Sequence, residues 1–202
     1  DRGHGALAAI SASSSPDRAL DALIRLAEID SKALSKVLAK HEQAQRLCRV
    51  LAASNGLVDF LLRHPQLISL FASPSRIPSA AQLAQLDDSS QDALKVSYLT
   101  QLVRITDFDL GHQDYKAPIQ SVTAALSDLA AGALEAALSI ARREVVDEAR
   151  YKQDEIEATE LAIIAMGKCG ARELNYVSDV DVIYVVGGEG DNVIEIGTRL
   201  AT

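Results

Sequence analysis

Asp179 and Asp181 stand two residues apart in the stretch AMGKCGARELNYVSDVDVIYVV, residues 165–186. The stretch reads as the end of one strand, a glycine-bearing loop and a second strand opening on the two aspartates. Side chains alternate along a strand, so both carboxylates are expected on one face, roughly 7 Å apart at the backbone. Carboxylates placed like that repel unless a cation sits between them. Mg²⁺ prefers oxygen ligands and bridges to substrate phosphates, so it suits the pair. Asp179 and Asp181 are therefore the expected metal ligands and catalytic carboxylates. Gly167 lets a ligand come close to the backbone, as does Gly170. Lys168 between them supplies positive charge to a phosphate. Ser178 can hydrogen-bond a phosphate oxygen, although serine before a strand is also an ordinary turn residue. Gly167, Lys168 and Ser178 are the expected contacts to nucleotide and phosphate.

Other readings of these residues fit less well. A P-loop fails because Cys169 stands where Ser or Thr must hold Mg²⁺, and position 162 is Ala rather than Gly. A dinucleotide fingerprint fails because Cys169 occupies its second glycine. His4, His41, His64 and His112 are scattered, with no zinc spacing and no nucleophile–His pair. A solvated strand edge is the plain alternative for Asp179-Val180-Asp181; the glycine loop, the lysine and the apolar strand around it favour a site. Arg172 and Glu173 are expected to be structural, as an ion pair at a short helical turn, and Asn175 to orient the loop.

The elements that must position these residues follow from periodicity. Residues 1–14 are rich in Gly, Ala and Ser and are expected to fray. Ser15-Pro16-Asp17 is a helix start, with Ser as N-cap, Pro at the first position and Asp near the positive end of the dipole. Asp30-Ser31 can cap a second stretch through Leu34, Val37, Leu47 and Leu51, ended by Asn55-Gly56. Residues 79–86 form a weak helix and 88–107 a stronger one. Residues 118–151 form the longest helix, interrupted only by Gly132, which costs about 1 kcal/mol relative to Ala. The charged run 142–148 reads as a solvated face. Residues 161–166 form a short continuous apolar run, consistent with a buried strand. Residues 180–186 are β-branched and aromatic, consistent with a second strand.

The fold class is mainly α with α/β. Residues 1–155 are expected to be a helical region and 156–202 the start of a mixed α/β domain, incomplete at its C-terminus. Across the 202 residues, 48% are hydrophobic but only 4% aromatic, which favours packed helices over a β-sandwich. The net charge of −8 argues against a nucleic-acid partner, since phosphate backbones need clustered Lys and Arg. It permits a nucleotide held through a metal. Cys48 and Cys169 have no metal or redox spacing, so reduced thiols and a cytoplasmic protein are expected. No uninterrupted run of about 18 apolar residues and no signal peptide is visible, so no membrane partner is expected. The chain begins without Met and stops within a helical pattern, which reads as a piece of a longer protein.

The segment MGKCGARELNYVSDVDVIYV resembles the signature of the glutamine synthetase adenylyltransferase/adenylyl-removing enzymes, members of the nucleotidyltransferase superfamily. Cys169 and Ala171 stand where Leu and Gly are commoner in that family. The wording Glu173-Leu174-Asn175-Tyr176 resembles the half that removes AMP; the other half usually has Gly at the place of Asn175. The resemblance implies a polymerase-beta-like sheet and Mg²⁺. It implies phosphorolysis of adenylyl-tyrosine on glutamine synthetase, giving ADP, within nitrogen regulation. Adenylyl transfer from ATP to the same tyrosine is the alternative. It also implies a third carboxylate on a later strand, a role that nothing after Asp191 fits, so this piece alone is expected to be inactive. A different class of reading makes residues 1–155 a docking and regulatory module for glutamine synthetase or a PII-type signalling protein.

Overall fold

The computed structural model describes residues 2–202, with side chains from residue 5 onward. Residue 1 and the His4 side chain lie outside that part. The chain is mainly helical with one two-stranded sheet. By packing it falls into two compact units, Asp1–Ile77 with Leu99–Ile119, and Pro78–Tyr98 with Gln120–Thr202.

In the first unit, α1 spans Arg2–Ser11, a helix where fraying was expected. It is held because Ala9 is buried and the Ser13 hydroxyl donates to the Ile10 carbonyl at 2.7 Å. α2 spans Pro16–Leu38, with Pro16 in its first turn. Ser15 precedes it but makes no side-chain cap bond. The helix kinks at Asp30 (φ −146°, ψ 78°), whose Oδ1 accepts from the Ala33 amide at 2.9 Å and so caps the second half as expected. The stretch expected to continue to Asn55-Gly56 is instead broken at Lys40, and α3 spans His41–Ala53. Asn55-Gly56 opens α4, Asn55–Arg63, rather than closing α3. The reason is Ser54, whose extended backbone and hydroxyl, accepting from the Leu57 amide at 3.3 Å, start a new helix there. A 3₁₀ segment, Pro65–Ala72, follows. Leu26, Leu47, Leu51, Phe60, Leu61, Ile68 and Phe71 are fully buried among these elements. Each such side chain contributes on the order of 1.5–3 kcal/mol of burial.

α6 spans Gln91–Asp109, and its part from Leu99 onward belongs to this unit. Here Asp107 meets Arg46 of α3 in a buried, two-pronged ion pair, Nε to Oδ1 at 3.0 Å and Nη2 to Oδ2 at 2.5 Å. Arg46 also donates from Nη1 to the Ser73 carbonyl at 2.7 Å.

The second unit holds α5 (Ala80–Leu83), α7 (Ile119–Asp147, from Gln120 on), α8 (Gln153–Ala158), β1 (Thr159–Ala165), α9 (Gly167–Gly170), β2 (Val182–Gly188) and α10 (Val193–Ala201). α7 is long and apolar enough to cross a membrane by length and composition. Asp128 and Glu135 interrupt it, and Val122, Leu126, Leu129, Ile140 and Val145 are buried within the unit, as in a core helix.

Gly132 is buried in α7 against the backbone of Leu83, and a Cβ there would overlap the Leu83 carbonyl. Helix propensity alone makes Gly132→Ala stabilising by about 1 kcal/mol. The contact reverses the sign: the substitution is expected to destabilise by about 1–3 kcal/mol, as overpacking does, read as a lowered melting temperature.

β1 and β2 pair antiparallel, with Leu161 opposite Val186 and Ile163 opposite Tyr184. α10 lies so close on β2 that a Cβ at Gly197 would come within 2.5 Å of Val186. Val145, Ile156, Ile196 and Leu200 form the core beneath the sheet, with Leu161 packed on it. The apolar run of β1 is therefore half-buried, not buried on both faces as expected. Burial alternates along it, and Ile164 with Ile183 and Val185 on β2 are exposed. The charged run at the end of α7 also differs from a purely solvated face. Arg142 donates to the carbonyls of Ile156 and Thr159 at 3.2 and 3.1 Å, pinning the α8–β1 joint. Arg143 pairs with Asp88, and the Ser139 hydroxyl and Arg143 together hold that carboxyl below its ordinary range.

Candidate active site

β1 ends at Ala165 and β2 begins at Val182, so Asp179 and Asp181 lie in the segment leading into the strand rather than within it. Asp181 is nonetheless fixed by the ladder: its carbonyl accepts from the Met166 amide at 2.8 Å, one step beyond the Ala165–Val182 pair. That bond brings the carboxylate over the glycine turn. Gly167 has φ +52°, and a Cβ there would sit 3.0 Å from Asp181 Oδ2. The glycine is thus required twice, for its left-handed backbone and for the space the carboxylate occupies. Gly170 is pressed on the Ala165 carbonyl and has no room for a side chain. Lys168 is exposed beside Gly167. Among the described residues neither aspartate nor Lys168 is held in an ion pair.

The loop between the turn and Asp179 is tied at both ends. The Glu173 amide donates to the Lys168 carbonyl at 2.8 Å. Arg172 takes φ +60°, a left-handed backbone that a side chain disfavours. It is held there by Asp128 of α7, Nη2 to Oδ2 at 2.8 Å with Nη1 on the other oxygen. This replaces the Arg172–Glu173 pair expected from their adjacency. On the preceding residue of the same helix, Ser127 Oγ accepts from the Leu174 amide at 3.3 Å, and Leu174 is buried. Ser127 and Asp128 are 44 or more positions from their partners, so nothing local in the sequence marks them.

Asn175 does orient the loop, its Oδ1 accepting from the Val177 amide at 3.1 Å. Ser178 Oγ accepts from the Asn175 amide at 3.4 Å, which leaves its hydroxyl proton for another acceptor. Cys169 is buried, as is Cys48, and both are free thiols. Burial pushes Cys169 upward and Cys48 up to about 11, which disfavours the nucleophilic thiolate at both. Among the described residues no group of three or more His, Cys, Asp or Glu side chains is gathered to hold a metal. What the turn offers is two exposed carboxylates, hard oxygen donors that fit Mg²⁺, next to a lysine and a backbone open to close approach.

A strand, a glycine turn with a lysine, and an Asp-x-Asp threshold to the next strand resemble the layout of the nucleotidyltransferase class. More closely, residues 44–198 match the profile described as glutamate-ammonia ligase adenylyltransferase, and the chain belongs to that family. A bifunctional glutamine synthetase adenylyltransferase/adenylyl-removing enzyme of Leifsonia xyli is 40% identical over 96% of this chain and 22% of its own length. The proteins of the same description from Cutibacterium acnes and Mycolicibacterium smegmatis are 36% and 37% identical, each over 92% of this chain and 20% of their own. The chain spans about a fifth of the length of the curated relatives it matches.

Proposed function

We propose that this chain carries the carboxylate turn of an adenylyl-removing site, acting on adenylylated glutamine synthetase by phosphorolysis. The observation that supports it is the Asp181 carboxylate seated over the left-handed Gly167, beside the exposed Lys168. In this reading inorganic phosphate attacks the phosphorus of adenylyl-tyrosine. A new P–O bond forms, the P–O bond to tyrosine breaks, ADP leaves, and the tyrosine oxygen regains a proton. Lys168 attracts the incoming phosphate, Gly167 admits it to the backbone, and Ser178 donates to a phosphoryl oxygen. Asp179 and Asp181 would hold Mg²⁺, which when bound supplies charge neutralisation at the phosphoryl oxygens. The choice of removal over transfer rests on the wording around Asn175. Glutamine synthetase as substrate, a PII-type protein as regulator and the cytoplasm as location belong to the same proposal.

The test is made in the full-length protein with Lys168→Ala. Phosphate-dependent ADP formation from adenylylated glutamine synthetase is expected to need about tenfold more phosphate, the loss of one charged contact worth about 1.4 kcal/mol. ATP-dependent adenylyl incorporation is expected to stay unchanged. Loss of incorporation with an unaltered phosphate requirement would place this turn in the transfer half instead.

A further inference from the structure

We propose that the first unit contains a second anion site, a pocket for a phosphate group, far in sequence from the Asp179–Asp181 turn. The buried Arg46–Asp107 pair forms one wall of a cavity of about 190 Å³. Ser73, Ser75, Arg76 and Arg104 also line it. Asp107 is the only acidic residue in that lining, and both its oxygens are taken by Arg46. Three arginines therefore share this lining with one carboxylate, and two positive charges are left unmatched in a chain of net charge −8. Arg76 and Arg104 are exposed, and among the described residues neither is in an ion pair.

A second observation points into the same place. Ser75 Oγ is buried from solvent and has no hydrogen-bond partner among the described residues. Buried hydroxyls are almost always partnered, so an orphan on a residue that lines a cationic cavity is a donor that a turn of its χ1 would offer to a ligand oxygen. The cavity is smaller than the roughly 300–1,000 Å³ of clefts that take drug-sized molecules, so the ligand is compact. Two planar forks and a hydroxyl suit a tetrahedral dianion, which offers several acceptor oxygens and enough charge to match both arginines. A phosphate group, free or on a small monoester, meets both conditions. Arg46 cannot turn toward the ligand, because its donors are committed to Asp107 and to the Ser73 carbonyl; its part is to fix the wall.

The test is a titration of the isotope-labelled chain, residues 1–202, with inorganic phosphate and separately with glycerol phosphate at constant ionic strength, followed by amide NMR. Saturable shifts are expected at residues 73–76 and 103–107. The Arg76→Gln/Arg104→Gln double variant, both sites being exposed, is expected to keep the fold and to lose at least about tenfold in affinity. Ser75→Ala is expected to weaken binding severalfold. Tighter binding of the monoester would identify a phosphorylated small molecule as the source of the group, and tighter binding of inorganic phosphate the free ion. Shifts that fail to saturate, or an unchanged affinity in the double variant, would overturn the site.

Discussion

Asp181→Asn in the full-length protein is expected to cut phosphate-dependent ADP formation from adenylylated glutamine synthetase by at least about 10²-fold while leaving the protein folded. The amide keeps the size of the carboxylate but removes its charge, and with it most of its value to a divalent cation. Misplacing a reacting group by about 1 Å is enough for a loss on this scale. Folding is spared because the side chain is exposed, and the bond that fixes the segment comes from the main chain, Met166 amide to Asp181 carbonyl. Gly167→Ala makes an independent companion. Its Cβ would press on Asp181 Oδ2 at 3.0 Å and must adopt φ +52°, so the carboxylate moves while its charge is kept. A comparable loss in both variants locates the effect in the position of one charged group. ADP formation near the wild-type rate in Asp181→Asn, with an unchanged thermal melt, would refute a catalytic role for this carboxylate.

The largest effect on stability is expected at the Arg46–Asp107 pair. Asp107→Ala leaves a guanidinium buried at 6% exposure with no counter-charge, a change that costs about 3–5 kcal/mol. Two carbonyls, those of Phe71 and Ser73, still accept from Arg46, but they carry no net charge to balance it. Replacing both partners together, as Arg46→Met with Asp107→Leu, removes the charge instead of stranding it. That double variant is expected to lie close to wild type or above it. Urea unfolding of the chain reads the difference, as a lower midpoint for the single variant and recovery in the double. A single variant within about 1 kcal/mol of wild type would mean that water reaches Arg46 and that the pair is not sealed.

How much of this is legible in the sequence depends on how far the determining contact lies along the chain. The strands, the glycine turn and the aspartates on the threshold of β2 are read from about twenty consecutive residues. There the alternation of apolar side chains, the left-handed Gly167 and the proximity of Lys168 are all local. The helices are read from local periodicity too, although competition between neighbouring caps is not. Asn55-Gly56 has the look of a helix end, and only the geometry of Ser54 makes it a beginning.

The sequence by itself determined the two strands and most of the longer helices, though not α1, together with the family signature and the residues of the carboxylate turn. Tertiary structure alone decided what holds that turn, because Arg172 finds its charge on Asp128 rather than on its neighbour Glu173. It decided the sign of a substitution at Gly132, because Leu83 packs against it. It decided that β1 is covered on one face, since an apolar run reads the same whether one side or both is buried. Arg46 and Asp107, 61 positions apart, could each have been a solvated surface charge. The physical reason is common to all four. Backbone preferences act over three or four residues, whereas desolvation, charge pairing and steric exclusion depend on which atoms the folded chain brings together.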